Sequence, residues 1–269
     1  MNKIFISLFL SSFLFFSCSD YNKVLKSDDF QKKFVMANDL YDAESFPKAV
    51  SLYEQVYQYS PKSDMGEVAY YRLAKCYYQD QDYYMAGYYF NAFMQRFPYS
   101  VKNEDCLFML AMCSVKNSPK YTLDQEETLY AINNIQQFVN RYPNSSLIDS
   151  CNNLIDRLRF KLEFKDFETV KLYSKTEKYR AAVTSSLSFL EKYPNSIFKE
   201  NTWYILINNS FLLSKNSTNR KKKARISDTI ERYRKFAILY PDSKFLNELK
   251  SKEKEMIKEL QLITTIQKK

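Results

Sequence analysis

Residues 61–100 read PKSDMGEVAYYRLAKCYYQDQDYYMAGYYFNAFMQRFPYS, a segment bounded by two prolines, each with a serine two places on. A proline ring clashes with the preceding helical turn and its nitrogen has no proton to donate, so each proline ends a helix. The serine offers an oxygen to the free amides that open the next helix. This punctuation occurs five times, at Pro61/Ser63, Pro98/Ser100, Pro143/Ser145, Pro194/Ser196 and Pro241/Ser243. An aromatic stands directly before the last four prolines (Phe97, Tyr142, Tyr193, Tyr240). Proline spacings of 37, 45, 51 and 47 residues announce a repeat protein.

Within the quoted segment, Tyr70, Leu73, Ala74, Tyr77, Ala86, Phe90, Phe93 and Pro98 resemble the tetratricopeptide pattern of large, Leu, small, Tyr, Ala, Phe, core residue and Pro. The first repeat follows with Ala37, Ala49, Tyr53, Val56 and Pro61, the third with Ala111, Ala131, Ile135, Phe138 and Pro143. The expected fold is all-α, a tetratricopeptide-like helical-repeat superhelix of about five repeats plus a C-terminal capping helix. Insertions account for the unequal spacing. Asn117 to Lys120 reads as a loop in the third repeat, and the polar run Lys215 to Arg225 as an inserted loop in the fifth. The fourth has fourteen extra residues with no Pro or Gly between Ser146 and Lys175, which predicts an overlong first helix. From Ser243 to Leu262, Phe245, Leu249, Met256 and Leu260 share one helical face, as a cap over an open repeat end requires.

The first seventeen residues differ. Met1-Asn2-Lys3 precedes thirteen mostly apolar residues, Ile4 to Phe16, too few to span a bilayer comfortably, and Ser17-Cys18 follows. The layout is that of a signal peptide ending in a lipoprotein box, with Phe15 where leucine is usual. Cys18 is the expected lipidated N-terminus. The expected organisation is a signal peptide over 1–17, a lipidated linker over 18–28, one helical domain over 29–262 and a tail over 263–269. The net charge of +9 falls to +8 once Lys3 is removed. Behind a signal peptide this points to anionic membrane or acidic protein partners rather than nucleic acid.

Zero histidines among 269 residues remove the commonest general base and the Ser-His and Cys-His pairs. Two glycines leave nothing for a phosphate-cradling loop, so no cofactor and no metal are expected. Asp124, Glu126 and Glu127 suit the positive end of a helix better than catalysis. Cys76, Cys106, Cys113 and Cys151 fall at equivalent repeat positions. Stacked helices sit about 8–10 Å apart and a disulfide needs Cα atoms within about 7 Å, so they read as core thiols.

Taken in order, the lipobox, five repeats, looped third repeat and long fourth helix resemble the BamD (ComL) family, lipoproteins of the outer-membrane β-barrel assembly machine. The similarity is densest over Leu154 to Phe164, Lys178 to Val183 and Glu191 to Ser196. It implies an outer-membrane scaffold facing the periplasm, held by its lipid. Its partners would be the barrel-forming subunit, other assembly lipoproteins and unfolded β-barrel precursors. Repeat geometry implies a client groove on the first helices: Phe34, Asn38 and Tyr41, then Tyr71, Lys75 and Tyr78, then Phe108 and Met112. The basic run Arg220, Lys221, Lys222, Lys223 and Arg225, with Phe245 and Leu249, is the expected partner dock. An adaptor for other envelope or polysaccharide machinery, a glycan-binding lipoprotein and, most distantly, a soluble enzyme remain alternatives. Cys18→Ala is expected to abolish palmitate labelling and leave an uncleaved or soluble form. A mutant still labelled and membrane-bound would refute the lipobox.

Overall fold

Twelve helices and no strand make up the described residues of the computed structural model, residues 16–266. Expectations placed on residues 1–15, on the Cys18 side chain and on 267–269 lie outside the described residues. After α1 (Phe16–Lys26), the first repeat pairs α2 (Phe30–Asp42) with α3 (Phe46–Tyr59), and the second α4 (Asp64–Gln79) with α5 (Tyr83–Arg96). The third pairs α6 (Asn103–Asn117) with α7 (Glu126–Arg141), and the fourth α8 (Ile148–Lys175) with α9 (Tyr179–Lys192). The fifth pairs α10 (Lys199–Lys215) with α11 (Asn219–Leu239), and α12 (Leu246–Ile266) follows. The chain divides into two compact units, Met1–Leu158 and Arg159–Lys269.

The turns show how the punctuation works. At the first, Ser63 caps α4 directly, its Oγ accepting from Gly66 N at 3.0 Å. That tight start needs glycine, because a Cβ on Gly66 would stand 2.0 Å from the Ser60 carbonyl oxygen. At the same register the other turns carry Asn103, Ile148, Lys199 and Leu246, and there the helix begins only at that residue. Their serines are therefore not the expected caps. Ser100, Ser145, Ser196 and Ser243 each accept from the amide two residues on, an ST-turn. Three of these hydroxyls then donate to a glutamate of the preceding first helix. Ser100 reaches Glu67 at 2.8 Å, Ser196 reaches Glu163 at 2.5 Å and Ser243 reaches Glu200 at 2.6 Å. Each link joins one repeat to the next.

In the first unit the residues of the repeat pattern form the core: Ala37, Ala49, Tyr53 and Val56, then Ala74, Ala86, Phe90 and Phe93, then Ala111, Ala131, Ile135 and Phe138, all fully buried. Cys76, Cys106, Cys113 and Cys151 are free thiols in this core. Burial pushes the first three up to about 12. The expected linker is instead helical. Tyr21, Val24 and Leu25 of α1 pack on the first repeat's core.

The expected long helix is present as the 28-residue α8, whose Cys151, Ile155 and Leu158 belong to the first unit's core. Phe167 and Val170 of the same helix belong to the second unit's core with Phe189. Ser196 and Glu163 are 33 residues apart, like Ser100 and Glu67, so the extra residues lie before Glu163.

The fifth-repeat insertion is not a loop. Only Asn216 to Thr218 separate α10 from α11, and Arg220 to Arg225 are helical. Lys, Arg and Ala are good helix formers and no Pro or Gly interrupts them. The insertion lengthens the helix pair, and the added turns bury Phe211, Ile226 and Ile230 against Met256 of α12. α12 caps as expected, with Leu249 and Met256 fully buried, and runs on into the expected tail.

Two outcomes follow from this packing. Ser196→Ala, which strands Glu163 at a repeat junction, is expected to lower stability by about 1–2 kcal/mol in urea unfolding. The raised thiols act at alkaline pH. An unfolded thiol ionises near pH 8.5 while the folded ones hold their protons to about 12. Stability is therefore complete below about pH 8 and falls as pH rises toward the folded values. The urea midpoint should be lower at about pH 10 than at about pH 8, and less so in a Cys76→Ala, Cys106→Ala, Cys113→Ala variant.

Candidate functional site

The eight expected groove residues lie on α2, α4 and α6 of the first unit, and all are half-buried. Their aromatics share one habit. Each leans edge-on against a ring of the second helix of its own repeat: Phe34 on Tyr53, Tyr41 on Phe46, Tyr71 on Phe93, Tyr78 on Tyr83 and Phe108 on Phe138, with centroids 5.4–6.4 Å apart. Such contacts hold the rings in place while leaving part of each uncovered. Met112 packs beside the third-repeat core.

The polar members are engaged within the fold. Asn38 Oδ1 accepts from the Tyr53 hydroxyl at 2.8 Å and from the Arg72 guanidinium at 2.7 Å. Arg72 also covers the Tyr41 ring at 5.4 Å and donates to the Tyr53 hydroxyl at 3.5 Å, so it ties α4 to both helices of the first repeat. The Tyr71 hydroxyl donates to Asp105 Oδ2 at 2.5 Å, tying α4 to α6. Burial, then this carboxylate, push the Tyr71 hydroxyl well up, so it remains a donor. Burial likewise pushes Tyr53 up to about 12. Lys75 makes no ion pair among the described residues, its ammonium lying 5.7 Å from the Tyr71 ring centroid.

Arg72 and Asp105 are missing from the expected groove although they join its helices. Arg72 stands one residue past the groove position of Tyr71 and Asp105 three residues before that of Phe108. Only the packed helices show their partners.

The expected dock in the second unit comes apart. Leu249 is fully buried in the core with Leu206 and Phe236, because it faces inward from the first turn of α12, and is unavailable to a partner. Phe245 is half-buried and stacks on Tyr204 at 4.2 Å. Lys222 pairs with Glu259 of α12 at 2.5 Å, and Arg225 donates to Ser217. Arg220 and Lys221 stay exposed at the head of α11. Among the described residues no group of acids and thiols is placed to hold a metal ion, and no helix is long and apolar enough to cross a membrane.

Two substitutions separate structure from recognition in the first unit. Asn38→Ala removes the acceptor of both Tyr53 and Arg72 and is expected to cost about 1–3 kcal/mol in thermal or urea unfolding. Lys75→Glu, which breaks no ion pair, is expected to change stability by less than about 0.5 kcal/mol. A Lys75→Glu loss as large as that of Asn38→Ala would make Lys75 part of the packing.

Comparison with known proteins agrees with this organisation. The family YfiO, described as outer membrane lipoprotein, matches residues 27–223. No curated protein matches the chain. Similar solved structures include a tetratricopeptide repeat protein of Bacteroides fragilis, at 12% identity and a TM-score of 0.37, covering 86% of this chain and 98% of that one. The TPR2AB domain of yeast Sti1 in complex with pHSP90 shows 12% identity and a TM-score of 0.41, over 89% and 95% of the two chains. A thermophilic tetratricopeptide protein of Thermus thermophilus shows 14% identity and a TM-score of 0.32, over 85% and 98%. The chain belongs to the YfiO family of outer membrane lipoproteins, the BamD-like family that its lipobox and ordered repeats resemble.

Proposed function

We propose that this lipoprotein is a non-enzymatic scaffold of outer-membrane β-barrel assembly, anchored through Cys18 and facing the periplasm. Family membership over residues 27–223 is the observation that carries this reading. The first three repeats receive unfolded β-barrel precursors. Part-uncovered rings on α2, α4 and α6, with the Lys75 ammonium among them, suit an extended segment that offers an aromatic side chain and a carboxylate. The second unit holds the barrel-forming subunit. Within its basic run the cations left for an acidic partner are Arg220 and Lys221, since Lys222 and Arg225 serve the packing of α11.

Mass spectrometry of proteins co-purified from detergent-solubilised outer membrane tests the assignment. The barrel-forming subunit is the expected partner, and recovery of polysaccharide or glycan-uptake machinery instead would overturn it. Arg220→Glu with Lys221→Glu is expected to lower capture of that subunit several-fold at low salt and less at high salt, because exposed charges are screened. Truncation before α12 would be a poor test, since it strips Leu249 and Met256 from the core. Unchanged capture by the charge-reversed variant would move the dock elsewhere.

A further inference from the structure

Because the repeats share one register, the second can be compared with the fifth position by position. Nine residues after the opening proline stand Tyr70 and Trp203, both more than nine-tenths buried. In the second repeat the slot over Tyr70 is filled. Tyr89, nine residues before the closing proline, meets the Tyr70 ring edge-on at 5.4 Å and donates its hydroxyl proton to Glu54 at 3.4 Å. Arg96 lies over Tyr70 at 5.2 Å and donates to the Tyr57 hydroxyl at 2.7 Å.

In the fifth repeat every one of these companions is different. Leu187 stands where Glu54 is, Arg232 where Tyr89 is and Leu239 where Arg96 is. Arg232 turns its guanidinium to the Ser210 hydroxyl at 2.7 Å, so no ring covers the indole. What remains is a cleft of about 290 Å³ lined by Leu187, Trp203, Asp228, Glu231, Arg232 and Lys235. An apolar cavity of about 150 Å³ already admits benzene. The buried Trp203 Nε1 has no hydrogen-bond partner. The Lys235 ammonium lies 5.8 Å from its ring centroid.

We propose that this cleft receives a tyrosine side chain from a partner polypeptide, in the place that Tyr89 occupies in the second repeat. The chemistry selects tyrosine. Its ring fits between Leu187 and the indole with Arg232 and Lys235 as flanking cations. Its hydroxyl donates to the Asp228 or Glu231 carboxylate, as that of Tyr89 donates to Glu54. A carboxylate ligand would meet those two acids, and a phenylalanine would offer them no donor. This holds whichever envelope machine the chain serves.

Trp203 is the chain's one tryptophan, so its emission reads the cleft directly. The full chain is titrated with acetyl-Gly-Tyr-Gly-amide and with its phenylalanine and alanine analogues. The tyrosine peptide is expected to give a saturable change with a half-point on the order of millimolar, and the phenylalanine peptide to bind about tenfold more weakly. Arg232→Tyr fills the slot from within and should lose the response with an unchanged helical circular-dichroism spectrum. Leu187→Glu, at an exposed edge, should weaken the response about tenfold if Arg232→Tyr does not fold. No saturable change, equal binding of the phenylalanine or alanine peptide, or a full response in a folded Arg232→Tyr variant would each overturn the proposal. None of these outcomes bears on co-purification with the barrel-forming subunit, so the two readings fail separately.

Discussion

A proline nitrogen without a proton is the constraint on which the rest of this structure depends. It stops each second helix at a set residue and obliges the chain to turn. The serine two residues on makes that turn useful twice over. Its oxygen accepts from the chain ahead, and its proton goes to Glu67, Glu163 or Glu200 of the repeat behind. A charged acceptor strengthens the bond, and Lys102 adds a second donor to Glu67 at 3.1 Å. Local termination and repeat-to-repeat register therefore share one side chain. That explains how insertions of different length are absorbed between the turns without disturbing them.

Between the turns, small residues let helices approach and large ones fill the space. Where the pattern calls for alanine or an aromatic but Thr229 or Ser186 stands, the hydroxyl bonds back to a carbonyl four residues earlier, at 2.7 Å in both cases. A buried hydroxyl satisfied within its own helix disturbs no neighbour. The turns inside three repeats place Glu44, Gln81 and Glu177 in the left-handed region, where glycine is usual. In a chain with two glycines that strain, about 1–2 kcal/mol per residue, is carried by the packing on either side.

The all-helical repeat class was legible because the proline register and the recurring Ala, aromatic and aliphatic positions are local properties. The length of α8 was legible for the same reason: no Pro or Gly breaks Ser146 to Lys175. The state of Arg220 to Arg225 was misread as a loop. A run of five basic residues and one alanine looks the same in sequence whether it is solvated or extends a helix. What distinguishes them is Glu259, thirty-seven residues after Lys222 and across the packing of α11 on α12. Leu249 was misread in a related way. An apolar residue on an amphipathic end helix can face a partner or the core, and packing with Leu206 of α10 and Phe236 of α11 decides for the core.

The sequence by itself determined the helical repeats, their boundaries and the lipoprotein family, since each rests on short-range chemistry or on ordered motifs. Tertiary structure alone decided which polar groups are spent inside the fold. Asn38 is taken by Arg72, Tyr71 by Asp105 and Lys222 by Glu259, whereas Trp203 Nε1 is taken by nothing. The three pairings join residues 34 to 37 positions apart. A hydrogen bond depends on distance and direction across neighbouring helices, and neither can be read along a single chain.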